Sequence, residues 1–402
     1  MARLLMLGGG PMQMPALRAA KRAGHQVATV DPNPRAPGFD VSDEAHVADL
    51  ADEARCLDVA LSFRPDGVMT FAADYPMPMV GKIARALGLP GPSLDSILAA
   101  TDKSVMRRVL SDGAVPIPEW CVVYSEAETL EAMQGLQTDA VLKPARSSGG
   151  RGVTKLERDA DRTTIREAFE RARGVSPNDS SPLLLEAFVD GPEFSVEAIS
   201  ANGVTRILAV TDKATTGPPH FVEVGHRQPS ALDEADRVRV EDVTKRSIAA
   251  LGLNDTPSHT ELRLGPSGPV VVEIASRCGG GYICSHLVPI STGVDMVGAA
   301  VSVALGLTPN LEPTESRGAA IAFVRAEPGT VDSIGDVDVA RKMPGVVELE
   351  APIHAGDPVP VLRDARDRLG YCICEAQDGF EAAARCQDAI AALSIQTKRN
   401  RA

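Results

Sequence analysis

A chain of 402 residues, 44% of them hydrophobic, is long enough to bury a large core and to divide into two or three domains. Its net charge of −13, with no Lys/Arg-rich block and no basic amphipathic helix, argues against a nucleic-acid binder or a membrane-surface protein and favours small-molecule chemistry. No signal-peptide pattern opens the sequence, no apolar run approaches a membrane span, and the seven cysteines form neither a CxxC pair nor a paired framework; the expectation is a cytoplasmic protein with reduced thiols.

Residues 3–7 (RLLML) predict a strand, followed by the turn Gly8–Gly10, a helix over 16–22 that stops at Gly24, and a second strand over 25–31. Gly8, Gly10 and the Asp31 that ends the second strand match part of a dinucleotide fingerprint, but Gln13 stands at the third glycine position. A tight strand-to-helix turn at the carboxyl edge of a parallel sheet is preferred. A strand over 67–72 and a helix over 78–87 complete this α/β unit, and the breaker cluster at 88–92 closes it. Ser93 and Thr101 are expected to cap helices, and a short strand at 120–124 precedes the strand that contains Lys143.

Lys143 lies in VLKPARSSGGRGV, where the lysine ends an apolar strand and the glycines follow it, the reverse of a P-loop. From a strand, Lys143 can reach the α- and β-phosphates of a nucleotide, with the backbone N–H groups of 147–152 folding over the β- and γ-phosphates as a flap. A glycine-rich hairpin with a surface lysine would read the same way. Beyond a polar loop at 174–182, strands over 183–189 and 193–199 flank a Gly191-Pro192 turn and suggest an antiparallel sheet; a helix over 235–251 follows.

Two strands, 259–264 and 270–277, joined by Gly-Pro-Ser-Gly, form the sharpest signal. Period two puts His259, Glu261 and Arg263 on one face of the first and Glu273, Ala275 and Arg277 on one face of the second. Leu262 with Leu264, and Val270, Val272 with Ile274, form the apolar faces. Glu261 and Glu273 then stand nearly opposite, a repulsive pair that a divalent cation on nucleotide phosphates would relieve. The competing reading is a solvated hairpin whose acids are neutralised by Arg263 and Arg277.

In order, the motifs Thr101-Asp-Lys103, the strand of Lys143 with its Ser-Ser-Gly-Gly-Arg-Gly loop, LLEAFVDGPEFSV at 184–196, and Glu261 with Glu273-x-x-x-Arg277 resemble the ATP-grasp superfamily over roughly residues 2–320. The resemblance implies an α/β and α+β architecture: an N-terminal Rossmann-like domain over 1–92, a nucleotide-binding domain over 93–317 with a lid at about 110–190, and a small C-terminal closing domain over 318–402. It further implies ATP held by Lys103, Lys143, Ser147, Ser148, Gly149, Gly150 and Gly152, with Glu186, Ala187, Phe188 and Val189 along the adenine and Glu193 near the ribose. Glu261 and Glu273 would hold Mg²⁺, or Mn²⁺ in its place. Taken as residues alone, Glu186 and Glu193 read as exposed strand acids.

Many members carry Asn two residues after the second metal acid; Ala275 stands there, which leaves the number of metals open and shifts weight toward the branch that resembles bacterial L-amino-acid ligases. In that branch the stretch 211–229 borders the acceptor site, so Lys213, His220, Glu223 and His226 are candidate substrate contacts: Glu223 for an ammonium, His226 for a carboxylate or as general base. Arg277, before the Gly279–Gly281 run, is the candidate catalytic cation, holding the donor carboxylate and the oxyanion. The segment from 318 resembles the closing domain of these ligases, completing the pocket and compatible with a homodimer. The expected activity is an ATP-dependent carboxylate-amine ligase passing through an acyl phosphate; the alternatives are an ATP-grasp carboxylase or purine-pathway ligase using bicarbonate or formate, and a nucleotide-binding regulatory module without turnover.

Overall fold

A computed structural model describes residues 1–176 and 178–398; Pro177, within the polar loop expected at 174–182, and the last four residues of the expected closing segment lie outside the described residues. The strands Arg3–Leu7, Gln26–Asp31, Glu44–Val47 and Gly67–Met69 pair in parallel in the spatial order third, second, first, fourth. Leu4 and Met6 face one core and Leu5 and Leu7 the other, and helices Met14–Arg22, Glu53–Phe63 and Met77–Leu87 supply the covering side chains. An unbroken apolar strand is what a sheet buried on both faces requires. The glycine turn serves this sheet: Asp31 accepts a hydrogen bond from Gly9 N–H at 2.7 Å, and the Gln13 side chain donates to the Phe71 carbonyl. A carboxylate that would otherwise be free for a ribose is committed to its own loop.

Ser93 caps helix Leu94–Thr101 through Ser96 N–H. Thr101, expected as a second cap, is instead the last residue of that helix and bonds back to Ile97, while Asp102 caps the next helix, Lys103–Asp112. A carboxylate suits the positive end of a helix better than a hydroxyl does.

The segment expected as the lid holds a four-stranded antiparallel sheet ordered Trp120–Val123, Leu183–Ala187, Ala140–Pro144 and Thr154–Leu156, with helices Glu126–Gly135 and Arg162–Arg173 packed on it. The strands expected on either side of Gly191-Pro192 therefore belong to different sheets, because Leu183–Ala187 is in the lid and Glu193–Ala201 is in the central sheet. Gly191 is where the chain crosses: its φ is +132°, and a Cβ there would meet the Leu264 carbonyl oxygen at 2.0 Å. Such an approach leaves room for glycine alone.

The central sheet has eight antiparallel strands in the order Gly268–Ala275, Thr256–Gly265, Glu193–Ala201, Val204–Thr215, Glu223–Gln228, Gly318–Val324, Gly370–Ala376 and Val346–Glu350. It runs without a break into the C-terminal segment, through the pairing of Gly225 with Ala322 and His226 with Ile321. A β-bulge after Glu261 corrects the expected apolar face of the hairpin: Val271 and Ile274 are buried, whereas Val270 and Val272 are half-buried. The extra residue re-aims one side chain, so Val272 and the adjacent Glu273 both line the cavity below.

The second face of the central sheet packs on helices Lys103–Asp112 and Glu234–Ala250. Helices Val288–Thr292 and Met296–Ala304 join it to the N-terminal sheet in one core. All seven cysteines are free thiols, and Cys372, Cys374 and Cys386 converge inside the C-terminal segment. Among the described residues no single helix is long and apolar enough to cross a membrane.

Candidate active site

A cavity of about 410 Å³ lies between the lid, the central sheet and the C-terminal segment, and it gathers every candidate residue except Gly152. Lys143 is 4% exposed at the end of its lid strand, with its ammonium 2.7 Å from Glu186. Glu186 is itself 3% exposed, which overturns the exposed-acid reading; Arg107 grips it from helix Lys103–Asp112 with Nε at 2.8 Å and Nη2 at 3.1 Å. Burial alone would raise the Glu186 pKa, but Arg107 and Lys143 outweigh it and hold the carboxyl at about 2. One carboxylate thus fixes two cations, and Lys143 is buried beside the site.

Glu261 and Glu273 are direct cross-strand partners, as the spacing predicted. The cations beside them are not the arginines of the competing hairpin reading. Lys103 reaches Glu273 at 3.0 Å, Lys213 reaches Glu261 at 2.7 Å, and His259 reaches Glu261 at 3.2 Å. Arg277 is instead paired with Asp74, while Arg263 lies over the rings of Phe188 and Phe221. His259 also bonds Glu197 at 2.6 Å; burial disfavours its charge, yet the two carboxylates raise its pKa to about 10.

These residues fit a divalent cation. Two opposed carboxylates offer hard oxygen donors, and because their cationic neighbours bond to Oε1 of each, a second oxygen on each remains for a metal that also takes phosphate oxygens. The flap fits a phosphate chain. Gly149, Gly150 and Gly152 all have φ near +70°, and a Cβ at either of the first two would meet nothing within 4 Å. Lys103 bonds the Ser147 carbonyl at 2.7 Å and so ties the flap to the acid pair. Ala187, Phe188 and Val189 line the cavity beside Pro118 and Val141, an apolar slot of the kind a base requires.

On the substrate side, Lys213 is the hub of three carboxylates: Glu193 at 2.8 Å, Glu223 at 3.1 Å and Glu261 at 2.7 Å. Burial opposes its charge, but the three acids raise its pKa well above that of a free lysine. Glu193 therefore meets the substrate stretch through Lys213. His226 stands opposite Lys213 in the sheet, 3% exposed, and burial lowers its pKa to about 4. His220 lies in the loop tip, against Arg171 of the lid helix.

Arg107, Glu197, Asp74 and Arg368 escaped the sequence reading. Arg107 lies one helical turn after Lys103, and Glu197 alternates with Glu193 and Ser195 on one strand, so both had a periodic signal. Asp74 follows the carboxyl end of a parallel strand, where α/β sheets place their ligands. Arg368 comes from a loop of the C-terminal segment, and no local pattern marks it.

Comparison with known proteins agrees with this geometry. Residues 136–286 match the family model of the ATP-grasp domain, and residues 322–398 match that of the L-amino acid ligase C-terminal domain 2. The uncharacterized protein y4rH of Sinorhizobium fredii is 33% identical over 330 residues, covering 82% of this chain and 68% of that protein. Human carnosine synthase 1 is 28% identical over 347 residues; the match covers 78% of this chain and 41% of that synthase, less than half of its length. The crystal structure of the L-amino acid ligase from Bacillus licheniformis superposes with a TM-score of 0.83 at 23% identity, covering 99% of both chains. The chain belongs to the ATP-grasp family, in its L-amino acid ligase branch, a group of ligases that form carbon–nitrogen bonds and use ATP with a divalent metal.

Proposed function

We propose that this chain activates an amino acid, or a related carboxylic acid, as an acyl phosphate and joins it to an amine, releasing ADP and phosphate. The observation that carries the reading is that one cavity holds the cations for a phosphate chain, the opposed acids and the buried Arg277 side by side. In the first step a carboxylate oxygen bonds to the γ-phosphorus as the bridging oxygen departs with ADP. In the second the amine nitrogen bonds to the acyl carbon, the carbon–oxygen bond to phosphate breaks, and the amine loses a proton.

Lys103, Lys143 and the flap over 147–152 orient the phosphates. Glu261 and Glu273 would hold Mg²⁺, or Mn²⁺, which when bound supplies positive charge between the carboxylates and the phosphates. Arg277 holds the donor carboxylate and stabilises the oxyanion; Asp74 fixes its guanidinium at 2.7 and 2.8 Å, so the cation is oriented before substrate arrives. Lys213, Glu223 and His226 border the amine, with His220 at the rim. His226 is neutral at neutral pH, so a ring nitrogen is available to the departing proton.

The test is hydroxylamine in place of the amine. Hydroxamate should form only with ATP, a divalent cation and a cognate acid, should persist without bicarbonate, and should be lost in Arg277→Ala and Glu273→Gln. Turnover that tracks bicarbonate or formate and yields no hydroxamate with any acid would move the chain to the carboxylase or purine-pathway reading.

A further inference from the structure

We propose that Cys372, Cys374 and Cys386 form a metal site for a soft, thiophilic cation of the monovalent copper class, held by three sulfurs in trigonal geometry. The site stands apart from the ligase reading, because it lies in the core of the C-terminal segment and none of the three cysteines lines the cavity. Cys372 and Cys374 are two residues apart on strand Gly370–Ala376, so period two turns both toward one face. Helix Gly379–Ala392 shares their core and brings in Cys386. All three side chains are fully buried.

The sulfurs converge on one point. Sγ of Cys372 and Sγ of Cys374 are 3.6 Å apart, and all three sulfurs lie within 4.8 Å of one another. A metal–thiolate bond is about 2.3 Å long, so three sulfurs around one ion stand about 4 Å apart. The cluster is thus already near the spacing that a single ion demands. The Cys386 thiol donates to the carbonyls of Cys372 at 3.2 Å and of Ala320 at 3.4 Å, which fixes the helix sulfur against the sheet. On binding, thiol S–H bonds break, sulfur–metal bonds form, and the protons leave to solvent.

The donor set selects the ion. Among the described residues no fourth His, Cys, Asp or Glu joins the three sulfurs, and full burial excludes water from a fourth position. Structural Zn²⁺ sites are almost always four-coordinate, and Mg²⁺ takes oxygen ligands. A soft cation that accepts three sulfurs fits these donors better. The site also has a structural use. The other buried members of this core are Ala, Val and Leu, seven of them alanines, so each contributes little apolar area. A sulfur–metal tie between helix and sheet adds what such small side chains lack. It also braces strand Gly318–Val324, which pairs with Gly370–Ala376 on one side and Glu223–Gln228 on the other.

The test uses the full-length chain, expressed in medium supplemented with copper or with zinc and purified without air, so that the buried site loads as the chain folds. Copper should be retained as Cu⁺ at about one ion per chain against a chromophoric Cu⁺ chelator, and X-ray absorption should find three sulfur neighbours. The copper-loaded chain should melt about 5 °C or more above the stripped chain, and excess Zn²⁺ should not displace the copper. Cys372→Ala, Cys374→Ala and Cys386→Ala should each abolish retention, whereas Cys284→Ala should keep it. The sulfur count of the wild type carries the test by itself if a variant folds poorly. Loss of copper to the chelator, a sulfur count of two, retention that survives Cys374→Ala, or a preference for Zn²⁺ overturns the assignment.

Discussion

Glu186 shows how one buried side chain sets the character of two others. Replacing it by Gln leaves Lys143 and Arg107 buried without a counter-charge, whereas Lys143→Ala leaves the bidentate Arg107–Glu186 pair whole. Glu186→Gln is therefore expected to cost about 3–5 kcal/mol in urea unfolding. Lys143→Ala should cost clearly less while weakening ATP binding by roughly tenfold or more in a calorimetric titration. Equal stability loss in the two variants would contradict the shared-carboxylate arrangement. His226 supplies the pH prediction. Its folded pKa of about 4 lies below the unfolded value of 6.5, so between these the unfolded chain binds more protons, and the stability present above pH 6.5 is lost as pH falls toward 4. His226→Gln lacks this proton uptake. The melting temperature of the variant should therefore gain on the wild type as pH is lowered from 7 to 4, and a constant difference would show that His226 is not held neutral by burial.

At the scale of elements, the crossing at Gly191 sets where the lid meets the central sheet. A Cβ at this position points at a backbone oxygen, which has no rotamer by which to move aside, and the φ of +132° adds strain for any other residue. Gly191→Ala should cost about 1–3 kcal/mol of stability. It should also lower nucleotide affinity, because the apolar slot at 187–189 lies directly before the crossing. A variant that melts and binds ATP like the wild type would mean that the crossing is looser than this. The hairpin carries the complementary lesson: its opposed acids were legible from period two, but the bulge that turns Val272 into the cavity was not. Bulges depend on how neighbouring strands pair, and the hairpin residues alone do not encode that.

For the whole molecule, the continuity of the central sheet makes the C-terminal segment part of the site. Strand Gly318–Val324 covers the edge of Glu223–Gln228, and Ala319, Ile321 and Phe323 enter the core shared with the N-terminal sheet. A chain ending at residue 317 should expose that edge together with apolar surface, and size-exclusion chromatography should find it aggregated. A monodisperse fragment with full ligase turnover would show the segment to be dispensable.

The sequence by itself determined the βαβ opening, the strand that ends at Lys143 with its glycine loop, and the Glu261–Glu273 opposition. Each follows from a local period or from glycine chemistry within a short stretch, and such rules act before any tertiary contact forms. Only the tertiary structure decided which cation serves which acid. Lys103 and Lys213 took the places that the competing hairpin reading gave to Arg263 and Arg277, Asp74 came from 203 positions away to hold Arg277, and Arg368 came from 145 positions away to hold Glu223. Long flexible cations pair wherever burial and distance allow, and burial and distance belong to the packed chain.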